Sequence, residues 1–214
     1  MTSALLTYRT RRARDEPRGA LVLMHGRGAD EADLEPLVDV LDRAGRLTAF
    51  LPRGPLSLPP GGAHWYAVRR VGYPDESTFH PTFERLSAWL DAVLADAGVA
   101  PDRAILGGFS QGAVMAYALA LAAGRPRPAA ILAMSGFVPR VEGLELDAAG
   151  RAGLPVFISH GTRDSVIAVE WGREARDRLS AAGLAVTYRE EPAGHTITPG
   201  ALADAQRFLA AIVE

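Results

Sequence analysis

One serine between two glycines constrains this chain more than any other feature: Gly108-Phe109-Ser110-Gln111-Gly112 stands where two differently patterned segments meet. Ahead of it, Arg103-Ala104-Ile105-Leu106 is short, apolar and preceded by Pro101-Asp102, which reads as a buried strand. Behind it, Ala113 to Ala123 is an unbroken run of good helix formers, ended by Gly124 and Pro126. Ser110 therefore sits in a strand-to-helix turn that projects its hydroxyl beyond the strand end. Gly108 and Gly112, lacking Cβ atoms, let strand and helix approach that closely. A turn of this composition can be a mere link. A strand before it and a helix after it favour a nucleophile elbow instead.

What can activate such a serine is limited by composition. The chain has no cysteine, which removes disulfides, thiolate nucleophiles and thiolate metal sites together. It also has no lysine: all 23 basic residues are arginines, which excludes Schiff-base chemistry, a lysine phosphate cradle and Ser-Lys catalysis. A histidine is left as the base. The formal net charge of −2 gives no electrostatic reason to expect nucleic acid as a partner. Arg9, Arg11, Arg12 and Arg14 form a basic patch, but Asp15 and Glu16 follow it, as in a solvated surface turn. No apolar leader follows Met1, and no run approaches the roughly 18 apolar residues of a membrane span, so stable membrane insertion is not expected and a cytoplasmic protein is. With 48% hydrophobic residues in 214 and no obvious linker, residues 1–214 read as a single domain.

Taken in order, Ala4 to Tyr8 reads as a first strand and Ala20 to Met24 as a second, apolar throughout as a strand covered on both faces must be. His25-Gly26-Arg27-Gly28-Ala29-Asp30 closes it, and Leu34, Leu37, Val38 and Leu41 then recur at helical spacing. Thr48 to Leu51 is a third strand. From Pro52 to Pro81 the prolines and glycines break all periodicity and forbid regular elements. The segment carries Leu56, Leu58, Trp65, Tyr66 and Phe79, which fits a structured flap near the substrate as well as aromatics closing the core from outside. A helix over Phe83 to Ala97, strands over Ala130 to Met134, Pro155 to Ser159 and Ala185 to Tyr188, and helices over Val169 to Ala182 and Pro199 to Val213 follow, the last with Thr198 as N-cap. This alternation predicts an α/β fold: a mainly parallel central sheet with helices on both faces, its reactive groups beyond the C-terminal strand ends.

A serine hydroxyl needs a base to take its proton, and the base needs an acid to fix its tautomer. Asp164 follows the strand through Ile158 and His195 follows the last strand, so Ser110, Asp164 and His195 are the candidate catalytic residues. His160 is a rival base. His25 is expected to brace the loop it opens, His64 and His80 to be polar surface of the flap, and Asp177 to lie on an exposed helix face. For an oxyanion, the candidate donors are the backbone N–H of Gln111, at a helix start, and that of Arg27, in the early glycine turn. Trp65, Tyr66 and Ile167 are the candidate substrate-binding residues. Such a site predicts activity that falls as His195 protonates.

His25 to Asp30, Pro52-Arg53-Gly54-Pro55 through Trp65-Tyr66, Gly107 to Gly112, His160-Gly161 to Asp164, and Gly194-His195, in this order and spacing, resemble the phospholipase/carboxylesterase family of α/β-hydrolases, which includes acyl-protein thioesterases and small bacterial carboxylesterases. The likeness covers nearly the whole chain. It implies an α/β-hydrolase fold with a minimal cap, hydrolysis of a small-molecule carboxylic ester or thioester through an acyl-enzyme on Ser110, no cofactor and no metal, and a homodimer as one assembly. Arg27 stands where eukaryotic thioesterases commonly carry leucine. Its guanidinium suits a polar or anionic substrate, whereas the flap's side chains suit an apolar acyl group. A peptidase or lactone hydrolase on the same scaffold remains open, as does a non-catalytic binding protein, although the latter ordinarily lacks one of the three residues.

Overall fold

The structure, a computed structural model, describes residues 6–214. Seven strands form one sheet: β1 (Tyr8–Arg11), β2 (Gly19–Met24), β3 (Leu47–Pro52), β8 (Ala104–Phe109), β9 (Ala130–Met134), β10 (Pro155–Gly161) and β11 (Ala185–Glu191), in the spatial order β1-β3-β2-β8-β9-β10-β11. Only β1 runs antiparallel, against β3; every other pairing is parallel. The mainly parallel sheet expected from the sequence is thus observed. The expected first strand lies partly outside the described residues, and pairing starts at Tyr8 instead of ending there.

Side chains of the central strands alternate between two cores. Leu21, Leu23, Ala49, Leu51, Ile105 and Phe157 face α1 (Glu35–Leu41) and α5 (Pro199–Val213). Val22, Met24, Leu106, Ile131, Val156 and Ile158 face α2 (Glu76–Asp96), α3 (Gln111–Leu121) and α4 (Val169–Ala181). A strand apolar at every position follows from this double cover. Thr198 caps α5 as expected, accepting the Ala201 N–H at 3.0 Å.

The segment from Pro52 to Pro81 differs from its expectation. It folds into two short antiparallel pairs, β4 (Leu56–Leu58) with β5 (Gly62–His64) and β6 (Val68–Arg70) with β7 (Tyr73–Pro74), and α2 already begins at Glu76. Pro81 lies inside that helix. Pro81, the sixth residue of α2, removes one helical hydrogen bond, but the added turns bury Phe79 completely, stacked on Phe83 with ring centroids 6.2 Å apart and 5.7 Å from Tyr66. Burial of an aromatic outweighs the proline's local preference.

Candidate active site

Ser110 alone makes the turn between β8 and α3. It adopts φ 55° and ψ −120°, a backbone conformation that costs a residue with a Cβ roughly 1–3 kcal/mol. Its surroundings impose this. The Ser110 N–H donates to the Met134 carbonyl at 2.9 Å, and α3 is buried along its whole length. A Cβ on Gly108 would stand 2.6 Å from the Met24 carbonyl oxygen, and one on Gly112 would collide with that same carbonyl. Both glycines are there for close approach, as the sequence indicated.

The Ser110 hydroxyl donates to His195 Nε2 at 2.9 Å, and His195 Nδ1–H donates to Asp164 Oδ2 at 2.6 Å. Asp164 Oδ1 accepts the N–H groups of Val166 and Ile167, both at 2.9 Å. The aspartate is fully buried, whereas His195 is partly open to solvent and rests on the Phe109 ring, 4.8 Å between centroids. The loops carrying acid and histidine are joined by their backbones: Thr162 N–H donates to Glu191 O at 2.8 Å and Arg163 N–H to Ala193 O at 2.9 Å. Gly161 makes this possible, because a Cβ there would strike the carbonyls of Ala193 and Gly194.

His160 stands behind the acid. Its Nε2–H donates to the Ile167 carbonyl at 2.8 Å and lies 3.5 Å from Asp164 Oδ2. Burial holds its pKa below the usual histidine value, so the ring is neutral and engaged elsewhere than at Ser110. His25 braces its loop as expected. Two further ties were not legible in the sequence: His64 Nδ1–H donates to Tyr66 O at 3.1 Å, and His80 Nε2–H to Glu142 O at 2.7 Å. Asp177 is exposed and paired with Arg176.

On the other side of Ser110, the Gln111 N–H opens α3, where the helix dipole favours negative charge. The Arg27 N–H is not among the donors of its own turn, which uses Gly28 N–H to Ala63 O at 2.8 Å and Ala29 N–H to Gly26 O at 3.3 Å. The Arg27 side chain is exposed. Trp65, Tyr66 and Ile167 are 0%, 2% and 5% exposed. All three belong to the hydrophobic core, so the flap aromatics close the core from outside and are not open to a cleft. The Gln111 amide ties the flap to the elbow, a role not legible in the sequence: its Oε1 accepts the Trp65 N–H at 3.0 Å and its Nε2 donates to Tyr66 O at 2.9 Å. No periodicity or motif marks such a contact. Among the described residues, no group of three or more His, Asp or Glu is placed to hold a metal ion, and no helix is long and apolar enough to cross a membrane.

A strained serine between a parallel strand and a buried helix, with histidine and acid on later strand ends, defines an α/β-hydrolase. Comparison with known proteins agrees. Residues 7–213 match the model of the phospholipase/carboxylesterase family. Acyl-protein thioesterase 1 of Debaryomyces hansenii is 25% identical over 211 residues, 90% of each chain, and acyl-protein thioesterase 1 of Yarrowia lipolytica is 30% identical over 170 residues, 73% of this chain and 74% of that one. The crystal structure of the Bacillus cereus carboxylesterase superimposes with a TM-score of 0.85 at 26% identity, covering 99% of this chain and 96% of the other. The chain belongs to the phospholipase/carboxylesterase family and is a serine hydrolase of the ester- and thioester-cleaving class.

Proposed function

We propose that the chain hydrolyses carboxylic esters or thioesters through an acyl-enzyme on Ser110, with His195 as base and Asp164 as its orienting acid. The observation that carries this reading is the continuous hydrogen-bonded path from Ser110 Oγ through His195 to Asp164, at 2.9 and 2.6 Å. The His195 tautomer follows from it: with Nδ1–H bound to the carboxylate, the Nε2 lone pair faces the hydroxyl. His195 takes the hydroxyl proton as Oγ bonds to the carbonyl carbon. The oxygen that becomes negative is held by the N–H groups of Arg27 and Gln111. As the C–O or C–S bond breaks, His195 returns the proton to the leaving alcohol or thiol. Water then repeats the sequence on the acyl-serine, releasing the acid and restoring Ser110. Trp65, Tyr66 and Ile167 back the substrate site from within. No metal or cofactor enters these steps.

We further read residues 1–214 as one domain acting in the cytoplasm. A homodimer is the assembly implied by the family resemblance, and sedimentation velocity decides it. The function is tested with nitrophenyl esters from acetyl to palmitoyl, Ser110→Ala run beside the wild type. Turnover by the wild type alone supports the reading, and the chain-length optimum reports the pocket. Equal turnover by both proteins, or none by either, counts against it.

A further inference from the structure

The oxyanion donors assigned above belong to segments far apart in sequence, and resting on that assignment we propose that His25 and the Gln111 side chain are positioning residues that set those two donors against each other. A peptide unit is planar and trans, so its C=O and N–H point in opposite directions. The Gly26 carbonyl accepts His25 Nδ1–H at 2.7 Å. That bond turns the Arg27 N–H of the same peptide the opposite way. A Cβ on Gly26 would lie 3.5 Å from the Ser110 Cβ, so this peptide flanks the serine. Were it to flip, a carbonyl oxygen would meet the developing oxyanion in place of a donor.

The His25 tautomer is fixed by its other nitrogen. Nε2 accepts the Gly54 N–H at 2.9 Å, which obliges Nδ1 to carry the proton. The backbone of His25 is tied down too, since its carbonyl accepts the Trp65 indole N–H at 2.8 Å. Trp65 in turn is held by the Gln111 amide, which grips the backbone on both sides of the Trp65–Tyr66 peptide. The path closes on itself: Gln111 presents one donor from its backbone and, through Trp65 and His25, orients the other. His25 is 1% exposed and Gln111 4%. In so dry a place each polar atom must be paired, which makes the arrangement a single one and not one of several.

The test compares His25→Leu, His25→Asn and Gln111→Met with wild type and Ser110→Ala. It reads kcat and KM on a nitrophenyl ester, the inhibition constant of a trifluoromethyl ketone that adds to the serine as an oxyanion mimic, and the unfolding temperature. His25→Leu is expected to lower kcat by about 10- to 100-fold, somewhat less than deletion of a donor, with KM within about threefold and ketone affinity falling in step with kcat. His25→Asn, whose amide can still donate to the Gly26 carbonyl, recovers about tenfold of that loss. A folded His25→Leu with kcat within about twofold of wild type overturns the proposal. So does a loss of kcat that leaves ketone affinity unchanged. If His25→Leu does not fold, Gln111→Met decides by the same readouts. An active Ser110→Ala sinks the acyl-enzyme reading itself; an inactive one beside a fully active His25→Leu sinks only this inference.

Discussion

The two sides of Ser110 are held by different means. On the acid–base side the carboxylate is held locally and the loops directly: Asp164 accepts the N–H groups of Val166 and Ile167, two and three residues on, and its loop is joined to that of His195 backbone to backbone. On the donor side, residues 25–28 belong to no helix or strand and are secured from three other places: the Gly54 N–H, Ala63 of the β5 hairpin and the indole of Trp65, whose backbone the Gln111 amide holds. The first side is a pair of turns tied directly to each other. The second is held through the flap. On the proposed reading, the site loses its base through a single side chain, and its oxyanion hole through a contact more than ten residues away in sequence.

Asp164→Asn separates the sides most strongly. It keeps the turn but favours the wrong His195 tautomer, and kcat should fall by about 10⁴-fold with ketone affinity less affected than turnover. Steady-state kinetics and inhibition together check this. Gly112→Ala acts at the junction, driving a methyl into the Met24 carbonyl and to 2.8 Å from that of His25. It should cost about 1–3 kcal/mol of stability by urea unfolding and shift the donor turn away from the elbow.

The smallest effect concerns pH. His25 and His160, one on each side, both titrate below the ordinary histidine value because burial disfavours their charged forms. The unfolded chain protonates both near about pH 6.5. Stability from neutral burial is thus complete above that pH and is lost as pH falls toward the lower folded values, at up to about 1.4 kcal/mol per pH unit for each histidine. Urea midpoints at pH 5, 6, 7 and 8 should decline on the acid side, and His25→Asn should flatten that decline. A midpoint unchanged from pH 8 to 5 contradicts it.

The same contrast explains what could be read from the sequence. Ser110, Asp164 and His195 announce themselves because side-chain chemistry at strand ends leaves letters in fixed order, and α3, β9 and α5 declare themselves by composition and caps. Donor groups on a backbone leave only the glycines that admit them. Hence Gly26 and Gly28 mark only the turn that holds the proposed Arg27 donor, and nothing pointed to the Gln111 amide or to the indole of Trp65 bound to His25. The early start of α2 was hidden for a related reason: Pro81 is a local signal, and the burial of Phe79 that overrides it is a tertiary one.

Whether Ser110 carries the acyl group is decided by rapid acid quench of the protein with a nitrophenyl ester, followed by peptide mass mapping. A burst of nitrophenol is expected, with one acyl adduct, on the peptide containing Ser110, that accumulates in the wild type and is absent from Ser110→Ala. An adduct on another residue, or steady turnover with an adduct on Ser110 that forms more slowly than product, would contradict it.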